Sequence, residues 1–375
     1  MRASIALLFL VVMGSGGAAF AYPQFQLSTG NVRCNQCHFA PAGGGLLNNY
    51  GRSEAGDTIS SGGNGAFLHG LWEPPSWLAL GADFRLAEAA NNEQGPNGVD
   101  SAFFPMQADL YVHIRAGHFD LAFTGGVRGS ERPVDPSFAS RLISQEHYLM
   151  WSEGPTGWYV RAGRFFAPFG LRLVEHTAYI ERFLGFNLLE ETYNLSGGYV
   201  GDDWELHLTA FIPDFVRDAV GERGSGGAAY FERRQGRNFA WGAQAKVSVG
   251  DEQNREIVGL VGKGWFEGPK IQVLAEADFA RLGIDNVAGS RWQFVGYLGA
   301  AWRPVRGWMF QLMLERWDED LAVKGVARDA LDLEIQWFPI AHVEVGVYGR
   351  VQLIGTGSDD GSPSEVVLLQ AHYYL

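Results

Sequence analysis

Apolar and polar residues alternate along most of the chain between Ser76 and Leu375. In Phe103–Ala116, for example, Leu110 stands at one of the apolar even positions and His113 at one of the odd positions. Successive side chains of a β-strand point to opposite faces, so each such segment predicts a strand with one apolar face. Segments of about ten residues suit tilted strands that cross an outer membrane, whereas a soluble sandwich would show shorter ones. The other clear examples are Trp204–Ile212, Ile271–Leu282, Ala330–Trp337 and His342–Val351.

The composition is typical of a large antiparallel β protein. The 375 residues include 50 Gly, 25 Phe, 13 Tyr and 12 Trp, and 46% of the residues are hydrophobic. A mean hydropathy near zero fits a barrel that is apolar outside and polar inside. The formal charge of -13 argues against a nucleic-acid partner and favours cationic partners or metal ions. The sequence has no phosphate-binding loop, nucleophile–base pair or zinc spacing that would support a kinase, hydrolase or nuclease.

The predicted connections alternate between short turns and longer loops, as in outer-membrane barrels, whose short turns are periplasmic. Starting with an upward strand at Ser76, the pattern predicts sixteen antiparallel strands with both ends periplasmic. The weakest of these strands is Gly227–Arg234, and its loss with a neighbour would leave fourteen. The short turns are predicted at Gly117, Glu153–Gly157, Gly201–Asp203, Gln235–Arg237, Trp265–Lys270, Pro304–Gly307 and Pro339–Ala341. The longer loops are predicted at Ala89–Ala102, Gly129–Ser140, Ala167–Glu190, Pro213–Gly226, Gly283–Ser290, Asp318–Asp329 and Gly355–Pro363.

One strand end has a distinctive sequence, GRFFAPFG at Gly163–Gly170. It resembles a pattern common in porins for polar solutes, where it closes a strand and opens a long loop that can fold toward the pore. The alternative is an ordinary strand end followed by a Pro-Phe-Gly turn.

The N-terminus has the three parts of a secretory signal peptide. Arg2 provides the basic start, Ile5–Met13 the apolar run, and Ala19-Phe20-Ala21 the small-residue cleavage site. The apolar run is too short to cross a membrane. We therefore expect residues 1–21 to be removed on export, the following segment to reach the periplasm of a Gram-negative bacterium, and the barrel to insert in its outer membrane.

Both cysteines of the chain lie in the pentapeptide Cys34-Asn35-Gln36-Cys37-His38. This is the attachment motif of a c-type haem, in which the two thiols bond to the haem vinyl groups and the histidine ligates the iron. The alternative is a redox or metal-binding dithiol that has a histidine beside it by coincidence. A disulfide to another cysteine is excluded, because there is no third one. The motif predicts one covalent haem c held by Cys34, Cys37 and His38.

Residues 22–75 separate the signal peptide from the first strand and end in Glu73-Pro74-Pro75. The two prolines prevent a helix from continuing into the barrel. So short a segment rarely encloses a haem by itself, whereas a sixteen-stranded barrel has an open lumen. We therefore predict an all-β transmembrane barrel (76–375) whose lumen is plugged by a small monohaem c-type cytochrome segment (22–75).

Three stretches resemble the outer-membrane cytochrome–porin fusion family, which includes the iron-oxidising outer-membrane monohaem c-type cytochromes: Tyr22–Phe25, Cys34–His38 and Leu47–Arg52. The family has a similar Leu-Asn-x-aromatic-Gly-Arg stretch soon after its haem motif. Two departures are present. Gly43–Gly45 stands where the family usually has a proline, and Ser53-Glu54 follows Arg52 where the family has an aromatic and a basic residue.

The resemblance implies an electron-transfer protein with a single haem inside the barrel. Such a protein takes electrons from extracellular Fe(II) or another external reductant and passes them to periplasmic c-type cytochromes or similar carriers. Whether this chain oxidises iron, and whether electrons instead flow outward, depends on the haem potential. Arg52 is expected either to pair with a haem propionate or to be a solvated charge of the plug. The alternative function is a diffusion porin for small polar solutes with a haem-bearing structural or regulatory plug.

The second axial position of the haem iron is left open by the sequence. His38 is the proximal ligand, and His69 is the first candidate for the distal ligand because the predicted plug contains no methionine. An empty sixth position would indicate ligand chemistry rather than electron transfer alone. Met106 faces lipid and is excluded. The inward-facing candidates on the barrel are His113, His118, His207, His342, His372, Met309 and Met313.

Overall fold

Sixteen antiparallel strands form one closed barrel within the residues that the structure describes, and the first strand pairs with the last. The structure is a computed structural model that describes residues 22–95, 98–127, 142–173, 175, 177–187, 190–214, 224–284, 289–355 and 363–375. The predicted signal peptide, residues 1–21, lies outside the described residues. Among those described, no helix is long and apolar enough to span a membrane.

Each strand pairs with its neighbours in sequence, which makes the barrel a simple up-and-down meander. The strands are β1 (Leu78–Gly95), β2 (Gly98–Ala116), β3 (Phe119–Val127), β4 (Leu142–Ser152), β5 (Gly157–Phe165), β6 (Thr192–Val200), β7 (Trp204–Ile212), β8 (Ser225–Gln235), β9 (Phe239–Val249), β10 (Gln253–Phe266), β11 (Ile271–Ile284), β12 (Ser290–Trp302), β13 (Trp308–Asp318), β14 (Arg328–Trp337), β15 (Val343–Ile354) and β16 (Ser364–Tyr374).

The predicted strand number and strand faces are confirmed. The weakest predicted strand, Gly227–Arg234, lies within β8, which pairs with β7 and β9 along its length. Leu110 is 65% exposed on the outer surface, whereas His113 is 2% exposed on the inner surface. The outer face therefore presents apolar side chains where a barrel of this kind contacts lipid.

One predicted long loop is wrong. The segment Ala89–Ala102 continues β1 and β2, which stay paired at Glu88↔Phe103, Asn91↔Asp100 and Gly95↔Gly98. Beyond the membrane the apolar alternation ends, but backbone N–H and C=O groups still gain partners by continued pairing. Loss of alternation therefore marked the edge of the membrane-facing band and not the end of the strands.

The connection between β5 and β6, which we call the inward loop (residues 166–191), runs into the lumen. The strand-end pattern Gly163–Gly170 thus opens a loop that folds inward, and the alternative of an ordinary strand end followed by a Pro-Phe-Gly turn is wrong. Gly170 is required by close packing, since a Cβ there would lie 2.4 Å from Oε1 of Glu276. A short helix, α2 (Tyr179–Arg182), lies within the inward loop. The buried apolar side chains of the inward loop pack with those of the inner barrel wall in one cluster, which includes Phe169, Leu173, Tyr179, Phe186, Val295, Tyr297 and Met313.

The N-terminal segment (residues 22–75) contacts the barrel at the end that carries the short turns. Gln24 Nε2 donates to Oε1 of Gln311 on the inner wall at 2.8 Å. The backbone N–H of Ser61 donates to the carbonyl of Phe338, which lies in the turn between β14 and β15. The segment contains one α-helix, α1 (Asn49–Glu54), and a π-helical turn (Ala55–Ile59). Three 3-10 turns complete it: Pro23–Phe25, Cys34–Gln36 and Phe67–Gly70.

Candidate cofactor site at the short-turn end of the barrel

The pentapeptide Cys34–His38 forms a compact turn. The backbone N–H groups of Cys37 and His38 both donate to the carbonyl of Cys34, at 3.2 and 3.1 Å. Oε1 of Gln36 accepts from the backbone N–H groups of Val32 and Arg33, at 2.8 and 2.9 Å, which fixes the start of the turn. This local geometry turns the side chains of Cys34, Cys37 and His38 toward one cavity, which all three line.

The downstream stretch Leu47–Arg52 packs against the cysteine turn and is hydrogen-bonded to it. Nδ2 of Asn48 donates to the carbonyl of Gln36 at 2.9 Å, and the Asn48 backbone N–H donates to the carbonyl of Cys37 at 2.9 Å. Oδ1 of Asn48 accepts from the N–H of Gly51 at 2.9 Å and so caps the first turn of α1. Gly51 lies so close that a Cβ there would be 2.3 Å from the Cys37 carbonyl oxygen. These contacts give Asn48 and Gly51 of the Leu-Asn-x-aromatic-Gly pattern a structural role beside the cysteine motif.

The cavity lies between three parts of the chain. The N-terminal segment contributes Cys34, Cys37 and His38, and the inward loop contributes Pro168 to Arg172. The centre of a water molecule can reach about 160 Å³ of the cavity. The atom-free space around those positions, including the part open to solvent, is about 1400 Å³. The inner barrel wall contributes Asp83, Arg85, Tyr111, Glu205, Tyr230, Lys263 and His372.

The motif side chains are uncharged in the folded protein. Burial raises the pKa of the Cys34 thiol and raises that of Cys37 to about 12, so both stay protonated at neutral pH. Burial lowers the pKa of His38 to about 4, against a smaller opposing effect of the Gly45 backbone. His38 is therefore neutral, the form that ligates metals, and its Nδ1 is buried without a hydrogen-bond partner among the described residues. Two neutral thiols and a neutral imidazole on one cavity fit a c-type haem.

Arg52 and His69, the other two predicted site residues, do not line this cavity. Arg52 is 5% exposed, donates to the carbonyl of Leu80 on β1, and lies 5.2 Å from the ring centroid of Phe67. His69 is exposed, and its ring centroid lies 4.8 Å from that of His342. The structure thus brings Cys34, Cys37 and His38 together and leaves Arg52 and His69 outside the cavity.

Of the candidate distal ligands on the barrel, His372 lines the cavity. Both of its ring nitrogens are engaged, because Nδ1 lies 3.0 Å from Oε2 of Glu344 and Nε2 lies 3.1 Å from Oδ1 of Asp83. His118, predicted to face inward, is exposed in the turn between β2 and β3. The remaining candidates, none of which lines the cavity, are His113, His207, His342, Met309 and Met313.

Arg85 and Arg172 are among the cavity residues that the reasoning from sequence missed. Arg85 stands at an inward position of β1, and strand parity alone could have identified it as a lumen residue. Arg172 lies in the inward loop, where no periodicity predicts the direction of a side chain. Its nearness to the cysteine turn depends on the path of the loop through the lumen.

Comparison with solved structures identifies a fold shared with porins. An anion-selective porin from Comamonas acidovorans matches with a TM-score of 0.63 at 12% sequence identity, over 80% of this chain and 99% of that chain. The outer membrane channel DcaP of Acinetobacter baumannii matches with a TM-score of 0.57 at 12% identity, over 80% and 97% of the two chains. OprB of Pseudomonas putida matches with a TM-score of 0.56 at 10% identity, over 80% and 94%. No family model matches this chain, and no curated protein does. At these identities the likeness shows the fold alone, a porin-type outer-membrane β-barrel.

Proposed function

We propose that this chain is an outer-membrane electron-transfer protein that holds one haem c in the periplasmic mouth of its barrel. The observation that carries the proposal is that Cys34, Cys37 and His38 line a single cavity. The barrel and the inward loop supply the other walls of that cavity. The N-terminal segment is too small to enclose a haem alone, and these added walls remove that difficulty.

The residues of the turn have defined tasks in this proposal. Asn48 and Gly51 hold the turn that carries Cys34 and Cys37, whose thiols would bond covalently to the haem. The neutral imidazole of His38 would ligate the iron from the proximal side. The bound haem would supply a one-electron couple. The buried wall around the motif would limit the access of water to the group.

The contacts that the N-terminal segment and the inward loop make with the inner wall support electron transfer over solute passage. The N-terminal segment occupies the short-turn end, and the inward loop packs its apolar cluster against the inner wall. A route for electrons needs no continuous water-filled channel, whereas solute diffusion does. Extracellular Fe(II) or another reductant on the long-loop side and a periplasmic c-type cytochrome on the other would be the partners. The formal charge of -13 would attract a cationic donor such as Fe(II).

A diffusion porin with a haem-bearing plug is the second candidate function. The observation in its favour is the inward loop after Gly163–Gly170, which in a channel would set the width and charge of the pore. The fold shared with solute channels is compatible with this function. In this case the N-terminal segment would regulate access to the lumen from the periplasmic side.

Haem staining and bilayer conductance separate the two candidates. The full-length protein should show covalent haem on a denaturing gel, and Cys34→Ala with Cys37→Ala should abolish the stain while the barrel still inserts. Ferrous iron should reduce the haem of the wild-type protein. In planar bilayers we expect negligible conductance for the full chain and a large increase after deletion of residues 22–75. Strong conductance of the full chain together with a haem that no external reductant reduces would favour the porin instead.

A further inference from the structure

Four cationic side chains line the cavity within the described part of the chain: Arg33, Arg85, Arg172 and Lys263. Two of them are neutralised by neighbours. Arg33 pairs with Asp202. Nζ of Lys263 lies 2.7 Å from Oε2 of Glu232 and 2.8 Å from Oε1 of Gln26. Among the described residues, no carboxylate lies within ion-pair distance of Arg85 or Arg172.

Arg85 is a buried guanidinium without a hydrogen bond. It is 4% exposed, its Nε has no partner, and it forms no hydrogen bond or ion pair with the residues that the structure describes. The charges of Asp83 and Glu344 act on it from beyond ion-pair distance. Those carboxylates are already bonded to His372. Arg85 therefore presents free donors to the cavity.

Arg172 reaches the same cavity from the inward loop. It is 7% exposed, and its one hydrogen bond among the described residues is from Nη1 to the carbonyl of Gly43, at 3.3 Å. No carboxylate lies within ion-pair distance of it in the described part of the chain. Two guanidinium groups with unused donors thus face one cavity from opposite parts of the fold.

Buried charges are stable only when they are paired, and a guanidinium pairs best with the two oxygens of a carboxylate. The haem that the proposed function attaches to Cys34 and Cys37 carries two propionates on its edge. We propose that Arg85 and Arg172 bind these two propionates, which is a role that the sequence had suggested for Arg52. The inference rests on the proposed function, because it requires the haem. It also explains why two buried arginines have no carboxylate within ion-pair distance among the described residues.

A positive charge beside the haem stabilises the reduced form, because reduction adds an electron. Arg85→Gln and Arg172→Gln should therefore each lower the haem midpoint potential, measured by optical redox titration of the full-length protein in detergent. A tenfold change in the ratio of reduced to oxidised haem corresponds to about 59 mV for this one-electron couple, and we expect a fall of that order. Arg52→Gln is the matched control, since it removes an equally buried guanidinium outside the cavity. Arg85→Lys, which keeps the charge, should retain most of the wild-type potential.

The outcomes separate this inference from the proposed function. A wild-type protein without covalent haem would overturn both. Covalent haem whose potential is the same in wild type, Arg85→Gln and Arg172→Gln would overturn the inference and leave the proposed function intact. An equal fall in Arg52→Gln would also overturn it, because the effect would then not belong to the cavity.

A second measurement does not depend on redox activity. The full-length Cys34→Ala, Cys37→Ala variant is titrated with iron protoporphyrin and with its dimethyl ester, which lacks free carboxylates. The free acid should bind more tightly, and Arg85→Gln with Arg172→Gln should abolish the preference. Inorganic phosphate is titrated in parallel. Arginine-dependent phosphate binding with no preference for the free acid would assign the two arginines to a free anion and refute the propionate role.

Discussion

Replacing Gly51 by alanine should loosen the N-terminal segment at the cysteine turn. The new Cβ would lie 2.3 Å from the carbonyl oxygen of Cys37 and 2.9 Å from its carbonyl carbon. Both are backbone atoms, so the overlap cannot be relieved by a side-chain rotation, and α1 must move away from the turn. Overpacking of this kind costs about 2 kcal/mol, which raises the population of the opened segment roughly 30-fold.

Limited trypsin digestion of the purified protein measures that population. Arg33 and Arg52 are cleavage sites within the segment, and cleavage through an opened state follows the free energy of opening. Gly51→Ala should be cut about 30-fold faster than wild type and should carry less haem. Gly62→Ala is the control, because its Cβ would meet no atom closer than the carbonyl oxygen of Pro339 at 4.0 Å. Equal cleavage rates for the two variants would show that the close contact at Gly51 does not hold the turn.

Three further predictions follow from the same geometry. Asn48→Ala should destabilise the segment by about 1–3 kcal/mol, seen as faster trypsin cleavage, because it leaves the carbonyl of Gln36 and the N–H of Gly51 without the Asn48 side chain. Leu208→Arg on the outer face should lower the free energy of barrel unfolding by about 2–4 kcal/mol relative to Leu208→Ala in lipid vesicles, and an equal effect of both would contradict the strand register. Burial, reinforced by the charge of Glu276, raises the pKa of Glu181 to about 8 in the folded protein. Because the docked loop favours the protonated side chain, docking of the inward loop should weaken as the pH rises from about 4 to 8. Glu181→Gln, which keeps an acceptor for the N–H of Leu173, should remove that pH dependence of loop proteolysis.

The barrel could be predicted from sequence because its signal is local. Alternation in β7 predicts both the strand and its faces, and Leu208 is exposed on the outer face while His207 is buried, as expected. The same signal failed at Ala89–Ala102, where the strands pair beyond the membrane without alternating. Periodicity reports which face is apolar, and it does not report where backbone pairing stops.

The grouping of Cys34, Cys37 and His38 on one cavity could also be predicted, since the three residues are neighbours in sequence. The electrostatic part could not. Arg85 and Arg172 are far apart in the chain, and they face the same cavity because β1 and the inward loop meet there. Arg52 was the natural candidate by its distance in sequence from the motif, yet its side chain points to the backbone of β1.

The glycine run Gly43–Gly45, which replaces the proline of the similar family, has a physical reason in this chain. All three glycines have positive φ, between 61° and 80°, a region that proline cannot adopt. A Cβ at Gly44 would lie 3.0 Å from Nη2 of Arg172, so any side chain there would crowd the guanidinium. The carbonyl of Gly43 accepts the one hydrogen bond that Arg172 makes among the described residues. The glycine run and the path of the inward loop are therefore linked. Glycine, unlike a residue with a side chain, leaves room for the Arg172 guanidinium beside the cavity.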